Sequence, residues 1–165
     1  LKWINLNFRV VQLNDMANIF NNDFRDFISA LNNQSVKYIL VGGYSVILHG
    51  YPRTTGDMDI WVERTSENYQ KIKNAFQQFG MPVFDMTLDN FLSHPNWDVF
   101  TFGTPPVAID LMVQVEGLDF ALAYDKSIYF EDDGLSIRTI HKTDLIQTKQ
   151  VVNRPKDQDD LLNLV

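Results

Sequence analysis

The sequence predicts an α/β (α+β) domain in which a mixed β-sheet is flanked by α-helices. Short apolar runs of strand length alternate with amphipathic helical patterns in the first half, and they follow one another in pairs in the second half. With 165 residues the chain is long enough to bury a substantial core. We find no internal repeat or linker, so we expect one domain over residues 1–165, with a core at about 15–140 and C-terminal helices at about 142–165.

The net charge of −7 argues against broad electrostatic binding to DNA or to an anionic membrane. The absence of cysteine excludes disulfides and thiolate zinc sites, and the simplest location that fits it is the reducing cytoplasm. No apolar run approaches about 18 residues, so we expect no membrane span. No signal-peptide pattern stands out in the given sequence.

The N-terminal segment has no clear period over residues 1–13, which favours an extended arm or a short strand. From Asn14, a suitable N-cap, apolar residues recur at three- and four-residue steps, the pattern of an amphipathic helix. Asn32 and Asn33 end this helix. Its apolar positions are Met16, Ile19, Phe20, Phe24, Phe27, Ile28 and Leu31.

The elements that follow are separated by glycines. Gly42 and Gly43 break a β-branched run, Gly50 closes a short helix, and Gly80 stops an amphipathic one. The predicted order is a buried strand at 36–41, a helix at 45–49, a loop at 51–56, a strand at 57–62 and a helix from about 69 to 79.

The second half predicts hairpins and then helices. A Gly-Thr-Pro-Pro turn separates two apolar runs, and Asp132-Asp133-Gly134 is a strong hairpin signal. The predicted order is paired strands at 97–102 and 107–113, a short helix at 118–124, a hairpin at 127–130 and 135–140, a helix capped by Thr143 or Asp144 and running to about Val152, and a final helix from about Asp157.

The Gly42-Gly43 turn is the first candidate for chemistry. Glycine supplies the backbone freedom that a strand–helix turn needs, and two missing side chains let a phosphate approach the main chain. The following helix would offer free N–H groups and the positive end of its dipole, and Ser45 could add a hydroxyl donor. A tight turn without a ligand explains the same glycines.

Asp57 and Asp59 form the second candidate. Residues two apart in a strand point to one face, so both carboxylates would project together while Met58 and Ile60 point into the core. Like charges side by side repel each other, and a bound Mg²⁺ would remove that cost. An exposed strand face, or a turn with an N-terminal Asp, is the alternative explanation.

Asp110 lies in the apolar run Val107–Val113, where a carboxylate needs a partner if it is buried. A metal ion shared with Asp57 and Asp59 would be such a partner, and Asp110 could also act as the base for an attacking hydroxyl. The alternative is an edge-strand residue facing water. Asp98, in the neighbouring predicted strand, is a weaker candidate for the same role.

Together these motifs resemble the nucleotidyltransferase superfamily, the DNA polymerase β-like group. The likeness is to its small single-domain bacterial members, including type IV toxin–antitoxin toxins and relatives of antibiotic nucleotidyltransferases. It covers roughly residues 15–165. The residues that carry it are Gly42-Gly43 with Ser45, the run Arg53 to Ile60 with Asp57 and Asp59, Asp110, and the tail residues Asp144-Leu145-Ile146, Lys149, Arg154-Pro155-Lys156-Asp157 and Asp160-Leu161.

The resemblance implies a nucleoside triphosphate held by Gly43 and Ser45 and two Mg²⁺ ions bound by Asp57 and Asp59. It further implies that Asp110 shares one ion and activates an acceptor hydroxyl. The products would be a nucleotidylated acceptor and pyrophosphate. The choice among ATP, GTP, CTP and UTP stays open.

Basic and aromatic residues are further candidates for the same site. Arg53 could face the phosphates, and Lys149 either reaches the triphosphate or the base, or lies on a solvated helix face. Arg154 and Lys156 are expected to pair with nearby aspartates, which is usually worth little at a surface. Four aromatic residues either line a pocket or pack in the core: Trp61, Trp97, Tyr44 and Tyr51.

The acceptor could be a small hydroxylated molecule, a protein side chain or the end of a tRNA. The negative net charge of the chain disfavours the tRNA. A cognate antitoxin-like partner is a further candidate. The alternative function is a domain that binds a nucleotide or a protein partner without turnover, because fold does not fix function.

Overall fold

The structure is a computed structural model and describes residues 2–6, 9–13, 20–104 and 107–164. Its strands are β1 (Lys2–Leu6), β2 (Arg9–Leu13), β3 (Tyr38–Val41), β4 (Met58–Val62), β5 (Val99–Thr104), β6 (Val107–Met112), β7 (Ile128–Asp132) and β8 (Leu135–Thr139). Its helices are α1 (Asn22–Asn33), α2 (Gly42–Leu48), α3 (Ser66–Phe79), α4 (Leu88–Ser93), α5 (Phe120–Lys126), α6 (Lys142–Val152) and α7 (Pro155–Leu164).

The main sheet has six strands in the order β5-β6-β4-β3-β8-β7, and β1 and β2 form a separate antiparallel pair. The pairs β4–β6 and β3–β8 are parallel, whereas β3–β4, β5–β6 and β7–β8 are antiparallel. The sheet is therefore mixed, and the predicted fold class is confirmed.

The two faces of the sheet are covered by different helices. Along β4, the alternating residues Met58, Ile60 and Val62 are fully buried in the larger core cluster, which contains the apolar faces of α1 and α3. Trp61 points the other way, into a smaller cluster with residues of α5, α6 and α7. Because side chains alternate along a strand, Asp59 lies on the face of Trp61, beside the C-terminal helices.

Several helix starts differ from the sequence-based expectation. The described part of α1 begins at Asn22 with Asn21 as its N-cap, whose side chain accepts a hydrogen bond from the Phe24 N–H. Phe20, predicted to be helical, precedes it, while the predicted cap Asn14 and residues 15–19 lie outside the described residues. Helix α6 is capped by His141 rather than by Thr143 or Asp144, and α7 begins at Pro155, which suits a first helical turn.

The elements around the glycines also shift by a few residues. Gly42 and Gly43 form the first turn of α2 instead of a separate turn before it, and β4 begins at Met58, one residue after Asp57. Helix α4 is an addition that the sequence patterns did not predict. The hairpin of β7 and β8 is confirmed, with Asp133 and Gly134 both at positive φ as a tight primed turn requires. Pro105 and Pro106 of the other predicted turn lie outside the described residues.

Candidate active site

Asp59 and Asp110 are neighbours across two parallel strands. The register of β4 on β6 pairs Asp59 directly with Asp110. Neighbouring strands lie about 4.8 Å apart, so paired residues that share a face bring their side chains together. Asp57 immediately precedes β4, and all three residues line one pocket of about 600 Å³. The sheet therefore places Asp59 beside Asp110, and Asp57 lines the same pocket.

The electrostatics of Asp59 set it apart from an ordinary surface carboxylate. Its pKa is raised from 3.8 to about 6, first by burial and then by the negative charges of Asp110 and Asp57. Lys156 and Lys149 act in the opposite direction but do not cancel the increase. A cation bound beside Asp59 would favour the ionised form of this carboxyl group and lower its pKa.

Gly42 lies against the carboxylate of Asp59. Its φ is +66°, and a Cβ built there would stand 1.9 Å from Oδ2 of Asp59. At Gly43 a Cβ would stand 2.3 Å from Oγ1 of Thr55. Both glycines are therefore required by close approach, and Gly42 by its backbone conformation as well.

Ser45 does not open into the pocket. It is fully buried, and its hydroxyl donates a hydrogen bond of 2.6 Å to the carbonyl oxygen of Gly42. The lining of the pocket includes Gly42 and Gly43 but not Ser45. In this structure its hydroxyl holds the glycine turn against Asp59 and has no free path to a phosphate.

Asp110 has a partner that the sequence reasoning missed. Thr101 of β5 is paired with Asp110 in the β5–β6 register, and its hydroxyl donates a hydrogen bond of 2.6 Å to Oδ1 of Asp110. The sequence predicted the pairing of these two strands, and their register places Thr101 opposite Asp110. The Oδ1 atom of Asp110 is thus held by Thr101. Asp98, the weaker candidate for the same role, does not line the pocket.

Four cations form another part of the pocket wall: Arg53 on the loop before β4, Lys149 on α6, Arg154 between α6 and α7, and Lys156 on α7. Nζ of Lys149 lies 3.0 Å from Asp157 and 2.9 Å from Asp160, and all three side chains are buried. Nε of Arg154 lies 2.8 Å from Asp157, and Nε of Arg53 lies 2.8 Å from Asp160. We call the five paired residues the ion-pair network.

The ion-pair network shows which of the predicted basic residues are buried and paired. Lys149 is only 5% exposed, so the alternative of a solvated helix face is wrong. Burial alone would raise the pKa of Asp157, but hydrogen bonds from Arg154 and Lys149 outweigh it and hold that pKa well below its usual range. The expected pairing of Arg154 is confirmed, whereas the described residues provide Lys156 with no ion pair, and it lines the pocket.

The predicted aromatic residues lie outside the pocket lining. Trp61 and Tyr44 are buried, Trp61 against Phe120 and Tyr44 against Phe20. Tyr51 donates a hydrogen bond to Asp159. For these residues the core or a structural contact is the observed role.

The carboxylates suit Mg²⁺ by their chemistry. Oxygen ligands from Asp57, Asp59 and Asp110 are the type that this hard cation prefers, and a bound cation would offset the burial that raises the pKa of Asp59. Among the residues that the structure describes, no three acidic or histidine side chains converge closely enough to form a ready-made metal cluster. The residues therefore fit the ion chemically, and the metal assignment stays a prediction.

Comparison with solved structures shows the same fold in nucleotidyltransferases. ANT(2'')-Ia, described as an antibiotic-resistance factor, is 14% identical at a TM-score of 0.55, covering 86% of this chain and 80% of its own. Its complex with adenylyl-2''-tobramycin gives 15% identity and a TM-score of 0.54, over 86% and 84%. TM1012 from Thermotoga maritima is 17% identical at a TM-score of 0.54, over 85% and 88%.

The mixed sheet and its flanking helices give the chain the fold of a nucleotidyltransferase. The chain belongs to the family described as "Nucleotidyltransferase of unknown function (DUF6036)", whose model matches residues 21–165. No curated protein matches the sequence. Within the described residues, no helix is long and apolar enough to cross a membrane.

Proposed function

We propose that this enzyme transfers a nucleoside monophosphate from a nucleoside triphosphate to a hydroxyl acceptor and releases pyrophosphate, and that it depends on Mg²⁺. The observation that carries the proposal is the pairing of Asp59 with Asp110 on one wall of the 600 Å³ pocket, whose lining also contains Asp57 and the cations Arg53, Lys149, Arg154 and Lys156. A triphosphate needs both kinds of residue, because its phosphates attract the cations while its metal ions require the carboxylates.

In this proposal the glycines and cations bind the phosphates, and the carboxylates bind the metal ions. The backbone at Gly42 and Gly43 lets the phosphates approach closely, and Lys149, with Arg53 and Arg154 beside it, supplies positive charge to the pyrophosphate that leaves. Paired Mg²⁺ ions, bound by Asp57, Asp59 and Asp110, would stabilise the attacking and leaving oxygens of an in-line displacement.

Asp110 is the proposed base. Its carboxylate accepts the proton of the acceptor hydroxyl as that oxygen forms a bond to the α-phosphorus. The bond from the α-phosphorus to the oxygen bridging to the β-phosphate breaks, and its electron pair leaves with pyrophosphate. The Thr101 hydrogen bond to Oδ1 of Asp110 fixes the orientation of the carboxylate and leaves Oδ2 for the proton.

The experiment incubates the protein with each α-³²P-labelled nucleoside triphosphate, Mg²⁺ and a mixture of hydroxyl compounds. The proposal expects pyrophosphate release and a labelled product with at least one triphosphate. Asp110→Asn should lower turnover about 100-fold or more while the affinity for the triphosphate changes little. If Asp110→Asn weakens binding as much as turnover, Asp110 is not the base. If metal and nucleotide bind but no label is ever transferred, the domain is a binding module.

The acceptor, the cytoplasmic location and an antitoxin-like partner remain predictions from the sequence. Among the compared structures, the one in complex with adenylyl-2''-tobramycin contains a nucleotidylated antibiotic. It supports a small hydroxylated molecule as the kind of acceptor to test first.

A further inference from the structure

The candidate active-site pocket has an apolar part that the carboxylates and cations do not explain. Met112 is the last residue of β6, Val115 lies on the loop that follows, and Val152 is the last residue of α6. All three line the same pocket as Asp110. Met112 and Val115 are partly buried, and Val152 is 44% exposed. We call Met112, Val115 and Val152 the apolar end of the pocket.

Met112 lies on the same face of the sheet as Asp110. The two residues are two positions apart in β6, so their side chains project to the same side and their Cα atoms are about 7 Å apart. Because both line one pocket, no strand or helix separates them. A ligand that lies on Met112 can therefore reach the Asp110 carboxylate without crossing the sheet.

The apolar end and the glycine turn lie on opposite sides of the carboxylates. Gly42 lies on the N-terminal side of Asp59, because β3 is antiparallel to β4 and Gly42 follows the residue of β3 that pairs with Asp59. Met112 lies on the C-terminal side, because β6 is parallel to β4 and Met112 follows Asp110, the partner of Asp59. The pair of Asp59 and Asp110 therefore stands between the two ends of the pocket.

Contacts between α6 and the loop after β6 hold the apolar end together. Nε2 of Gln147 donates a hydrogen bond of 2.8 Å to the carbonyl oxygen of Gly117. A Cβ built at Gly117 would stand 3.2 Å from Cγ2 of Val151, so this loop and the last turn of α6 are in close contact. Val115 and Val152 therefore lie on two segments that are fixed to each other.

Cations beside the glycine turn give the direction of the reaction. Nη2 of Arg53 lies 3.2 Å from the position of a Cβ at Gly43, and Arg53 shares the carboxylate of Asp160 with Lys149. This end of the pocket therefore suits the pyrophosphate that leaves. In an in-line displacement the attacking oxygen enters opposite the leaving group. The acceptor hydroxyl then comes from the other side of the carboxylates, where Met112 lies.

We propose that the apolar end is the acceptor site, and that it takes a hydroxyl compound with an aliphatic or other apolar group next to its hydroxyl. The apolar group lies on Met112, Val115 and Val152. The acceptor oxygen forms the bond to the α-phosphorus, its proton goes to Asp110, and pyrophosphate leaves at the glycine turn. This assignment rests on the proposed nucleotidyl transfer, but binding to the apolar end can be measured without turnover.

Binding is tested by saturation-transfer NMR titration with n-hexanol as the probe. The Kd for n-hexanol should rise about fourfold in Val152→Asn, the effect expected when about one methylene group of the ligand is no longer buried. Val151→Asn is the matched control, because Val151 is 45% exposed on the same turn of α6 but does not line the pocket. No signal in the wild type, or an equal Kd in both variants, would overturn the proposal.

The same measurement separates an acceptor from the base of the triphosphate. It is repeated with Mg²⁺ and the α,β-methylene analogue of each triphosphate, in which a methylene group replaces the oxygen of the bond that breaks. The saturation-transfer signal of the analogue reports its own binding. An acceptor site keeps the n-hexanol signal when the analogue binds. Loss of the n-hexanol signal would overturn the proposal, because the nucleoside would then occupy the apolar end.

Transfer is tested with the labelled triphosphate that the enzyme accepts. The wild type should label n-hexanol about tenfold better than ethanol, the gain expected if about two further methylene groups are buried. Val152→Asn should lower this preference about fourfold without changing the KM for the triphosphate, and Val151→Asn should keep it. Better labelling of an RNA hexamer than of n-hexanol would overturn the acceptor class. If no triphosphate turns over while n-hexanol binding depends on Val152, the proposed function fails and the apolar end as a binding site stands.

Discussion

Asp59 is the residue at which burial and charge conflict most clearly. Its pKa of about 6 lies above the ordinary value of 3.8, so the folded protein holds this proton more tightly than the unfolded chain. The stability that the proton contributes is present below about pH 4 and is lost as pH rises to about 6 and beyond. The carboxylate therefore costs stability at neutral pH, which is typical of a group retained for function.

Asp59→Asn removes this pH dependence. In EDTA, the free energy of unfolding of the variant should improve relative to wild type by roughly 1 kcal/mol on going from pH 5 to pH 7.5. Thermal or urea unfolding at both pH values measures this difference. Glu131→Gln, at an exposed position of β7, is the matched control for the loss of one carboxylate at the surface. A constant difference between Asp59→Asn and wild type would contradict the raised pKa.

Gly42 tests whether the position of Asp59 matters for activity. In Gly42→Ala, the new methyl group would collide with the Asp59 carboxylate in addition to straining the backbone. Gly50→Ala is a matched control, because Gly50 has a φ of +104° but open space around its Cβ position. Both variants should lose about 1 kcal/mol of stability from backbone strain.

Only Gly42→Ala should also lose nucleotidyl transfer, by about 100-fold, since it alone displaces a carboxylate of the site. Transfer rates measured well below the melting temperature of both variants separate the two effects. Equal activity in the two variants would show that the contact between Gly42 and Asp59 has no catalytic consequence.

At the scale of elements, the ion-pair network joins helices α6 and α7 to the loop before β4. Lys149 lies on α6, Asp157 and Asp160 on α7, and Arg53 on the loop. Buried charges of this kind add little net stability but are costly to break, because the remaining partner is left buried and unpaired. We therefore expect the network to fix the cationic wall of the pocket rather than to drive folding.

Lys149→Met should destabilise the protein by about 3 kcal/mol or more, since it leaves the carboxylates of Asp157 and Asp160 without their shared cation. Lys142→Met, at an exposed position of the same helix, should change stability by less than about 0.5 kcal/mol. Urea unfolding of the two variants measures both values. A loss of similar size in each would mean that the pairs of Lys149 contribute no more than a surface charge.

Sequence patterns predicted the elements around the site but not the contacts between them. The strands that carry Asp59 and Asp110 were predictable because glycines and turn residues bound apolar runs of the right length. The ion pair of Arg53 with Asp160 joins residues 107 positions apart, and nothing local indicates such a partner. The start of α1 was misplaced because apolar periodicity continues upstream of Asn21, whose cap contact is what fixes the described start.

At the scale of the whole molecule, the sheet supplies negative charge and the C-terminal helices supply positive charge to one pocket. A ligand that needs both signs should bind only when both walls are in place. Such a ligand also stabilises the folded state, by about 2.7 kcal/mol at a concentration 100 times its Kd. A nucleoside triphosphate with Mg²⁺ meets this description, and neither component alone does.

The most direct measurement is calorimetric titration of each nucleoside triphosphate, with and without Mg²⁺, into wild type and into Asp57→Ala/Asp59→Ala. The account predicts that at least one triphosphate binds the wild type only when Mg²⁺ is present, and that the double variant stays folded but loses this binding. Binding that persists in the double variant, or the absence of binding by every triphosphate with Mg²⁺, would contradict the assignment of this pocket to nucleotidyl transfer.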